Sequence, residues 1–585
     1  MNYNFITNSD QLKKALFPLM KAPVLAIDTE TTGLDPFIDR ICLIQIAVPQ
    51  HPILIIDLTA MGTRGCQLLK KLLNSRALKI FQNAKFDWKM LEMANLRPSG
   101  PFFDVMLASQ VLRSGLKKDH DLQSLAWEFL KVKLDKSLQF SNFAVKLSTA
   151  QLEYAALDAA VLLKLKTRLH SKLEKAGLLE TAQIEFDALP AVAQMELNGM
   201  RLDAIAWQQV GSELKAQEQR VLTQLINAGL KPAPSPQLSL FPELTETLNP
   251  RSTSQVLQAL RALNIPVQST RKNELIPKAR EYPILQFLLH YRKLASLCSN
   301  FVEALPKHIH PKTGRIHPSY RQCGARSGRF SCQQPNLQNI PRNCTAQGMR
   351  TCFICEPGYQ IIKADYSQIE LRIVAEISSD HRMLNAYSKG EDLHALTASL
   401  ITGKLLEQIT PEDRQIAKSV NFGLIYGMGA AKLQAYAEEK YDVLLTLEEA
   451  KLFRKRFFTA YQGVKNWHEQ VRKTVYAQGQ REIRTIGGRR RRWASKPRLC
   501  ELLNHPVQGT SADLLKVAIA RLFEVLPNTE AKLIGVVHDE ILLECPQQTL
   551  KKTTLLLKRV MIEAGQQYLQ QVPIEVDVKT ALSWG

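Results

Sequence analysis

Apolar runs that stop at a carboxylate recur along the chain, and they predict strands whose ends face a ligand. VLAIDTETTG (24–33) reads as a strand carrying Asp28 and Glu30, and residues two apart on a strand share a face. The run LKIF leads into QNAKFD (82–87), which supplies Asn83 and Asp87. The run 359–362 predicts a short buried strand that enters KADYSQIELR (363–372) and leaves Asp365 at its end. In LIGVVHDEILLE (533–544) two apolar runs flank His538, Asp539 and Glu540, which reads as a hairpin.

Helical spacing accounts for much of the remainder. YAALD (154–158) places Tyr154 and Asp158 one turn apart on one face. Residues 173–203 are mostly helical in pattern, with breaks expected at Pro190 and Gly199, and 204–230 continue as a polar helix with heptad-like leucines. In TPEDRQIAKSVNFGLIYG (410–427), Thr410 suits an N-cap and Pro411 the first helical position. Arg414, Lys418, Phe422 and Tyr426 then recur every four residues along one face. ELLNHPVQGTSADLLK (501–516) sets Asn504 and Gln508 one turn apart. Residues 231–250, with five prolines, and 327–341, rich in small, amide and basic residues, read as loops.

A chain of 585 residues exceeds one ordinary core, so two to four domains are expected. Its apolar and charged fractions, 45% and 22%, describe a soluble globular protein without a membrane-length apolar stretch. The N-terminus does not read as a signal peptide, which favours a reducing, cytoplasmic setting (a bacterial or phage-infected cell, or an organellar matrix) with cysteines mostly as free thiols. Cys332, Cys344, Cys352 and Cys355 contain only one CxxC pair, and packing is expected there in place of zinc. The net charge of +21 and pI near 9.5 point to a polyanionic partner, and the absence of a basic amphipathic helix or lipidation motif favours nucleic acid over membrane. REIRTIGGRRRRWASKPR (481–498), with eight basic residues against one acid, reads as a solvated loop or, in a DNA-handling chain, as the favoured contact to a DNA backbone.

These elements suggest chemistry. Strand-end carboxylates from distant segments, Asp365 and Asp539, suit a pair of Mg²⁺ ions, which need hard oxygen ligands and open positions for phosphate. Two cations followed by two aromatics make a poor core stripe and a good surface for a triphosphate and then a base.

DYSQIELR, the Arg414-Lys418-Phe422-Tyr426 series with its following glycine, and VHDE resemble the three polymerase motifs of family-A DNA polymerases of the bacterial polymerase-I type, in the family's order. Asp28-x-Glu30, Asn83-x-x-x-Asp87 and Tyr154-x-x-x-Asp158 resemble the 3′–5′ proofreading exonuclease of the DEDD superfamily, in its tyrosine variant. The resemblance implies an α/β and α+β multidomain fold, with an RNase H-like exonuclease domain (1–178) before a right-hand polymerase domain (179–585). Within the latter it implies a thumb over about 204–315, a palm over about 316–380 and 500–585, and fingers over about 381–499. The N-terminal flap nuclease of many bacterial relatives is not expected, the thumb tip near QSTRKNELIP looks abbreviated, and Cys500 stands where the family often has an arginine.

The same resemblance implies template-directed DNA synthesis from dNTPs in replication or repair, with proofreading, by a protein that binds primer–template and single-stranded 3′ ends and works as a monomer. Two Mg²⁺ ions per active site, replaceable by Mn²⁺, would be held by Asp365, Asp539 and the Tyr366 carbonyl in one centre and by Asp28, Glu30, Asp87 and Asp158 in the other. Tyr154 would orient the attacking water. Arg414 and Lys418 would take the triphosphate, with Lys418 protonating the leaving pyrophosphate, while Gln368 and His394 line the same dNTP site. Phe422 would pack on sugar and base and select against dideoxynucleotides, and Tyr426 would close the pocket. Glu370 against C2′ would exclude ribonucleotides, which opposes RNA synthesis and leaves a reverse transcriptase open. Arg329, Asn336, Gln338, Asn339, Asn504, Gln508 and His538 would contact DNA, amides and arginines being suited to the minor-groove acceptors common to all base pairs. His538 and Glu540 would also support Asp539. The alternatives are a 3′–5′ exonuclease that uses a polymerase-like cradle only for binding, and a non-catalytic DNA-binding factor. The intact Asp365, Asp539, Arg414 and Lys418 oppose both.

Overall fold

The computed structural model describes residues 2–116, 118–138, 141–231, 248–341 and 348–585. The expected proline-rich loop, apart from its two ends, and Cys344 lie outside the described residues.

The N-terminal core is built on a six-stranded mixed sheet, in the order Tyr3–Ile6, Ile53–Asp57, Ile41–Ala47, Val24–Thr31, Leu78–Phe81 and Phe102–Asp104. Val24–Thr31 lies inside this sheet, antiparallel to Ile41–Ala47 and parallel to Leu78–Phe81, so Leu25, Ala26 and Ile27 are fully buried. The strand's last residues run beyond the pairing with Leu78–Phe81, which leaves Asp28 and Glu30 at an open end. The helix Thr149–Lys175 packs on this sheet, and its start is set by a capping box between Ser148 and Gln151.

The C-terminal sheet has four antiparallel strands, in the order Lys532–Val537, Glu540–Pro546, Tyr359–Tyr366 and Val576–Ala581. Its register sets Asp365 opposite Glu540 on one side and Asp577 on the other. The hairpin turn is His538-Asp539, with His538 at φ 59°, so Asp539 arrives beside the end of the Tyr359–Tyr366 strand. The Leu499–Val525 helix packs with Leu179–Asn198 and Leu550–Gln566, and further helices, from Leu393–Thr402 to Gln462–Arg472, complete the chain between the sheet's strands.

The helix Leu179–Asn198 departs from its expected form. It runs through Pro190 without a break, although an internal proline costs about 3 kcal/mol. Packing on both flanks outweighs that cost: Phe186, Leu189, Ala193 and Leu197 join the N-terminal core, and Ala188, Ala191, Val192 and Met195 join the C-terminal one. The expected end at Gly199 is observed, at φ 57°, where a Cβ would come within 2.6 Å of the Ile316 carbonyl oxygen.

The basic segment 481–498 is also used differently. It forms a hairpin of Glu482–Arg484 with Arg490–Arg492, and several of its arginines bind protein where a DNA backbone contact was expected. Arg484 donates to the carbonyls of Ala176 and Gly177, Arg490 to that of Leu112, and the Arg492 amide to that of Ser114. Arg489 is buried and lies 2.6 Å from both Glu185 and Asp513, while Lys516 pairs with Glu185 and donates to the carbonyls of Gln322 and Gly328. Burial alone would raise the Glu185 carboxyl, yet Lys516 and Arg489 beside it bring it down to about 2. Arg481, Arg492, Lys496 and Arg498 remain exposed.

Candidate active sites

At the first sheet's open end, three segments converge. Asp87, in the first turn of the Ala84–Met93 helix, accepts a hydrogen bond from Thr29 Oγ1 at 2.7 Å. Asn83 precedes that helix in a left-handed conformation, φ 56°, and its amide donates to Asp104. Tyr154 and Asp158 face the cluster from the Thr149–Lys175 helix, where Lys136 Nζ lies 2.7 Å from Asp158 Oδ2 and 3.1 Å from the Tyr154 hydroxyl. Lys136 was not foreseen, because it lies on an irregular segment with no periodicity to read.

The electrostatics follow from crowding. Burial and then the neighbouring Asp158 push Asp28 up to about 7. Burial, Asp28 and Asp158 push Glu30 up to about 9. Burial and Asp28 hold Asp87 well above the ordinary carboxylate range. Such a cluster holds its protons until a cation replaces them. The donor set fits a divalent metal: every candidate ligand is a hard oxygen, and buried Asp158 Oδ1 has no hydrogen-bond partner among the described residues. The oxygens are neighbours but not a finished cage, since among the described residues no three His, Cys, Asp or Glu side chains form one.

The second site lies where Asp365 and Asp539 meet. The Tyr366 amide donates to the Asp539 carbonyl at 3.5 Å, and Ser511 Oγ donates to Asp539 Oδ1 at 2.5 Å. Ser511 was missed, although it stands seven residues after Asn504 on the same helix and so shares its face. Arg329 Nη2 is 2.5 Å from Glu370 Oε1 and 3.7 Å from Asp539 Oδ1, and the Tyr426 hydroxyl donates to the other Glu370 oxygen. Glu370 is thus held from two sides. Glu540 is buried, accepting from the Trp584 indole at 2.8 Å.

The cationic helix is observed as Pro411–Leu424, with Thr410 as N-cap in a capping box with Asp413. Tyr426 lies past its end, in the following turn, and not on the helix as expected. Arg414 Nε is 2.5 Å from Asp392, which caps the Leu393–Thr402 helix. His394 is buried, with Nδ1 3.0 Å from the Asn421 amide, and burial followed by Arg414 brings it down to about 4. That shift favours the neutral imidazole. The Lys418 ammonium lies 5.9 Å from the Tyr441 ring centroid, and Gln368 accepts from Tyr387 at 3.4 Å.

Around this centre, Gln338 donates to the Val536 carbonyl, and Asn336 accepts from the Gln338 amide. Asn339 and His538 are exposed. Asn504 and Gln508 are half-exposed on a helix whose other positions are mostly buried. Cys332, Cys352 and Cys355 are buried free thiols. An open cleft of about 430 Å³ between residues 377–382 and 460–470 contains none of the expected site residues.

Residues 237–585 match the family model for DNA polymerase family A, and residues 3–174 match that of a 3′–5′ exonuclease. DNA polymerase I of Aquifex aeolicus is 35% identical over 603 residues, covering 99% of this chain and 98% of that protein. DNA polymerase I of Chloroflexus aurantiacus is 31% identical, covering 97% of this chain and 62% of that longer protein. The POL domain of Pol1 from M. smegmatis, solved in complex with DNA primer-template and dNTP, has the same fold, with a TM-score of 0.84 over 99% of both chains at 24% identity. Together with two sheets that each end in carboxylates, these matches make the chain a member of the family A DNA polymerases, with a 3′–5′ exonuclease domain ahead of its polymerase domain.

Proposed function

We propose that Asp365 and Asp539 form the polymerisation centre, and that Asp28, Glu30, Asp87 and Asp158 form a separate proofreading centre. The observation that carries this reading is the antiparallel register that pairs Asp365 with Glu540 and so brings Asp539 alongside. Divalent ions held there, Mg²⁺ or Mn²⁺, would supply a nucleophile at neutral pH and stabilise charge on phosphorus. Arg414 and Lys418 bind and orient the dNTP triphosphate, and Lys418 gives its proton to the leaving pyrophosphate oxygen. Phe422 packs against sugar and base. Glu370, fixed by Arg329 and Tyr426, fills the space a ribose 2′-hydroxyl needs. Tyr426 must release Glu370 if it is to shift as the pocket closes, which couples closure to sugar selection.

Arg329, Asn336, Gln338, Asn339, Asn504, Gln508 and His538 reach the primer–template, and Arg329 also pairs with the Glu370 carboxylate. At the other centre, Tyr154 orients water toward the last phosphodiester of a single-stranded 3′ end. No helix among the described residues is long and apolar enough to cross a membrane, and a cytoplasmic role in replication or repair fits this reading. The polymerase domain is assigned to thumb, palm and fingers over the ranges given above.

The test is a labelled primer–template incubated with Mg²⁺, with and without all four dNTPs. Extension to the template end with dNTPs, and 3′ shortening without them, are expected. Shortening under both conditions overturns the assignment of Asp365 and Asp539.

A further inference from the structure

Lys136 is a cation placed among carboxylates, and its placement is built rather than incidental. Its side chain is 21% exposed, against 5% for the Asp158 side chain it meets. The ammonium also lies 4.9 Å from the Tyr154 ring centroid, so one group touches both the acid and the phenol of the helix pair. The segment carrying it is anchored: Leu134 is 1% exposed, Gln123 Nε2 donates to the Leu134 carbonyl at 2.8 Å, and the Ser137 amide donates to Asp135. A lysine free in solvent gains little from such a pairing and loses the freedom of a long side chain. Here the lysine is only partly exposed and its partner is buried.

Lysine has three donors and no acceptor, so the Tyr154 oxygen accepts from Lys136. The phenol hydrogen is then left to donate, and the Asp158 carboxylate is the acceptor beside it. On Asp158 the ammonium uses Oδ2, while Oδ1 is the buried oxygen without a partner among the described residues. The lysine therefore orders the carboxylate while leaving one oxygen for a metal ion.

We propose that Lys136 is a positioning residue of the 3′–5′ exonuclease, which fixes the Tyr154 hydroxyl and the Asp158 carboxylate for the reaction and competes with the divalent ion for Asp158. This rests on the reading of the carboxylate cluster as the exonuclease centre. A partner that orders a metal ligand in this way is worth roughly 10- to 100-fold in activity.

The test uses the full chain as Lys136→Met, Lys136→Arg and Asp158→Asn. With single-stranded DNA and Mg²⁺, Lys136→Met is expected to lose 3′ shortening through kcat, by about 10- to 100-fold, with KM little changed. Lys136→Arg restores most of it, and template-directed extension by both variants equals that of the unmodified chain. Without DNA, Mn²⁺ binding followed by calorimetry is tighter in Lys136→Met, because a competing cation has been removed. Undiminished shortening together with unchanged Mn²⁺ affinity in Lys136→Met overturns the proposal. So does a parallel loss of extension in both lysine variants, which would mark Lys136 as a folding residue. Asp158→Asn separates the two levels: if it shortens DNA as the unmodified chain does, the cluster is not the exonuclease centre and the role of Lys136 falls with it.

Discussion

The two carboxylate centres solve the same electrostatic problem in opposite ways. In the N-terminal cluster, buried Asp87 and the half-buried Asp28 and Glu30 crowd together and are held above the usual carboxylate range, and Lys136 is a cation brought against Asp158 and Tyr154. In the C-terminal centre, Asp539 already has the Ser511 hydroxyl at 2.5 Å and the Arg329 guanidinium at 3.7 Å, and Arg414 and Lys418 lie on the helix that leads to Tyr426, whose hydroxyl reaches Glu370. One centre must gain cations before it can ionise fully. The other is compensated by its own side chains and has charge to offer an anionic substrate. That contrast suits hydrolysis with water in the first and capture of a triphosphate in the second.

The contrast breaks most sharply at single carboxylates. Asp539→Ala is expected to lower primer extension by roughly a thousandfold or more while 3′ shortening persists, and Asp28→Ala with Glu30→Ala should do the reverse. Paired gel assays of extension and shortening on one DNA check this. Next comes the bridge between the two cores. Glu185→Ala leaves Arg489 and Lys516 buried without their shared partner, a change worth about 3–5 kcal/mol, and it should lower the first thermal unfolding transition of the whole chain. An unchanged transition would show that the two cores are stabilised independently.

The pH dependence sharpens the comparison further. Asp28 at about 7 and Glu30 at about 9 lie above their ordinary values of 3.8 and 4.5, so the protonated forms are favoured in the fold. The metal-free cluster accordingly loses stability as pH rises from the ordinary values through that window. Metal affinity moves the other way: each proton displaced makes it rise about tenfold per pH unit up to about 9. The Mg²⁺ concentration needed for half-maximal shortening should therefore fall from pH 7 to pH 9, and more steeply than that needed for extension. The smallest effect is on sugar choice. Glu370→Ala should admit ribonucleotides several-fold more readily in single-turnover incorporation, and unchanged discrimination would remove Glu370 from that role.

Much of both sites was legible because it depends on short-range patterns. Strand-end acids at Asp28, Asp365 and Asp539 follow from apolar runs, and the cationic face follows from four-residue spacing. What was not legible depends on packing between distant segments. Pro190 sits in an unbroken helix because two cores enclose it. Tyr426 leaves the helix that its spacing suggested, since the helix ends at Leu424, and from the turn it reaches Glu370. The arginines of 481–498 resemble a phosphate-binding stretch in composition, yet Arg489 meets acids from residues 185 and 513 that no local window contains. Lys136 has the same cause: its meaning comes from Asp158, a neighbour only in space.

The helix Leu179–Asn198 is a party wall. Severing the chain ahead of it would strip the N-terminal core of Phe186, Leu189, Ala193 and Leu197, and severing behind it would strip the other core of Val192 and Met195. Either cut exposes contiguous apolar surface of the kind that drives aggregation. A lineage that no longer needs one of the two chemistries can therefore abandon it by changing a carboxylate, whereas deleting the domain demands that the survivor be rebuilt along a whole helix. Inheritance of this architecture favours silent domains over missing ones.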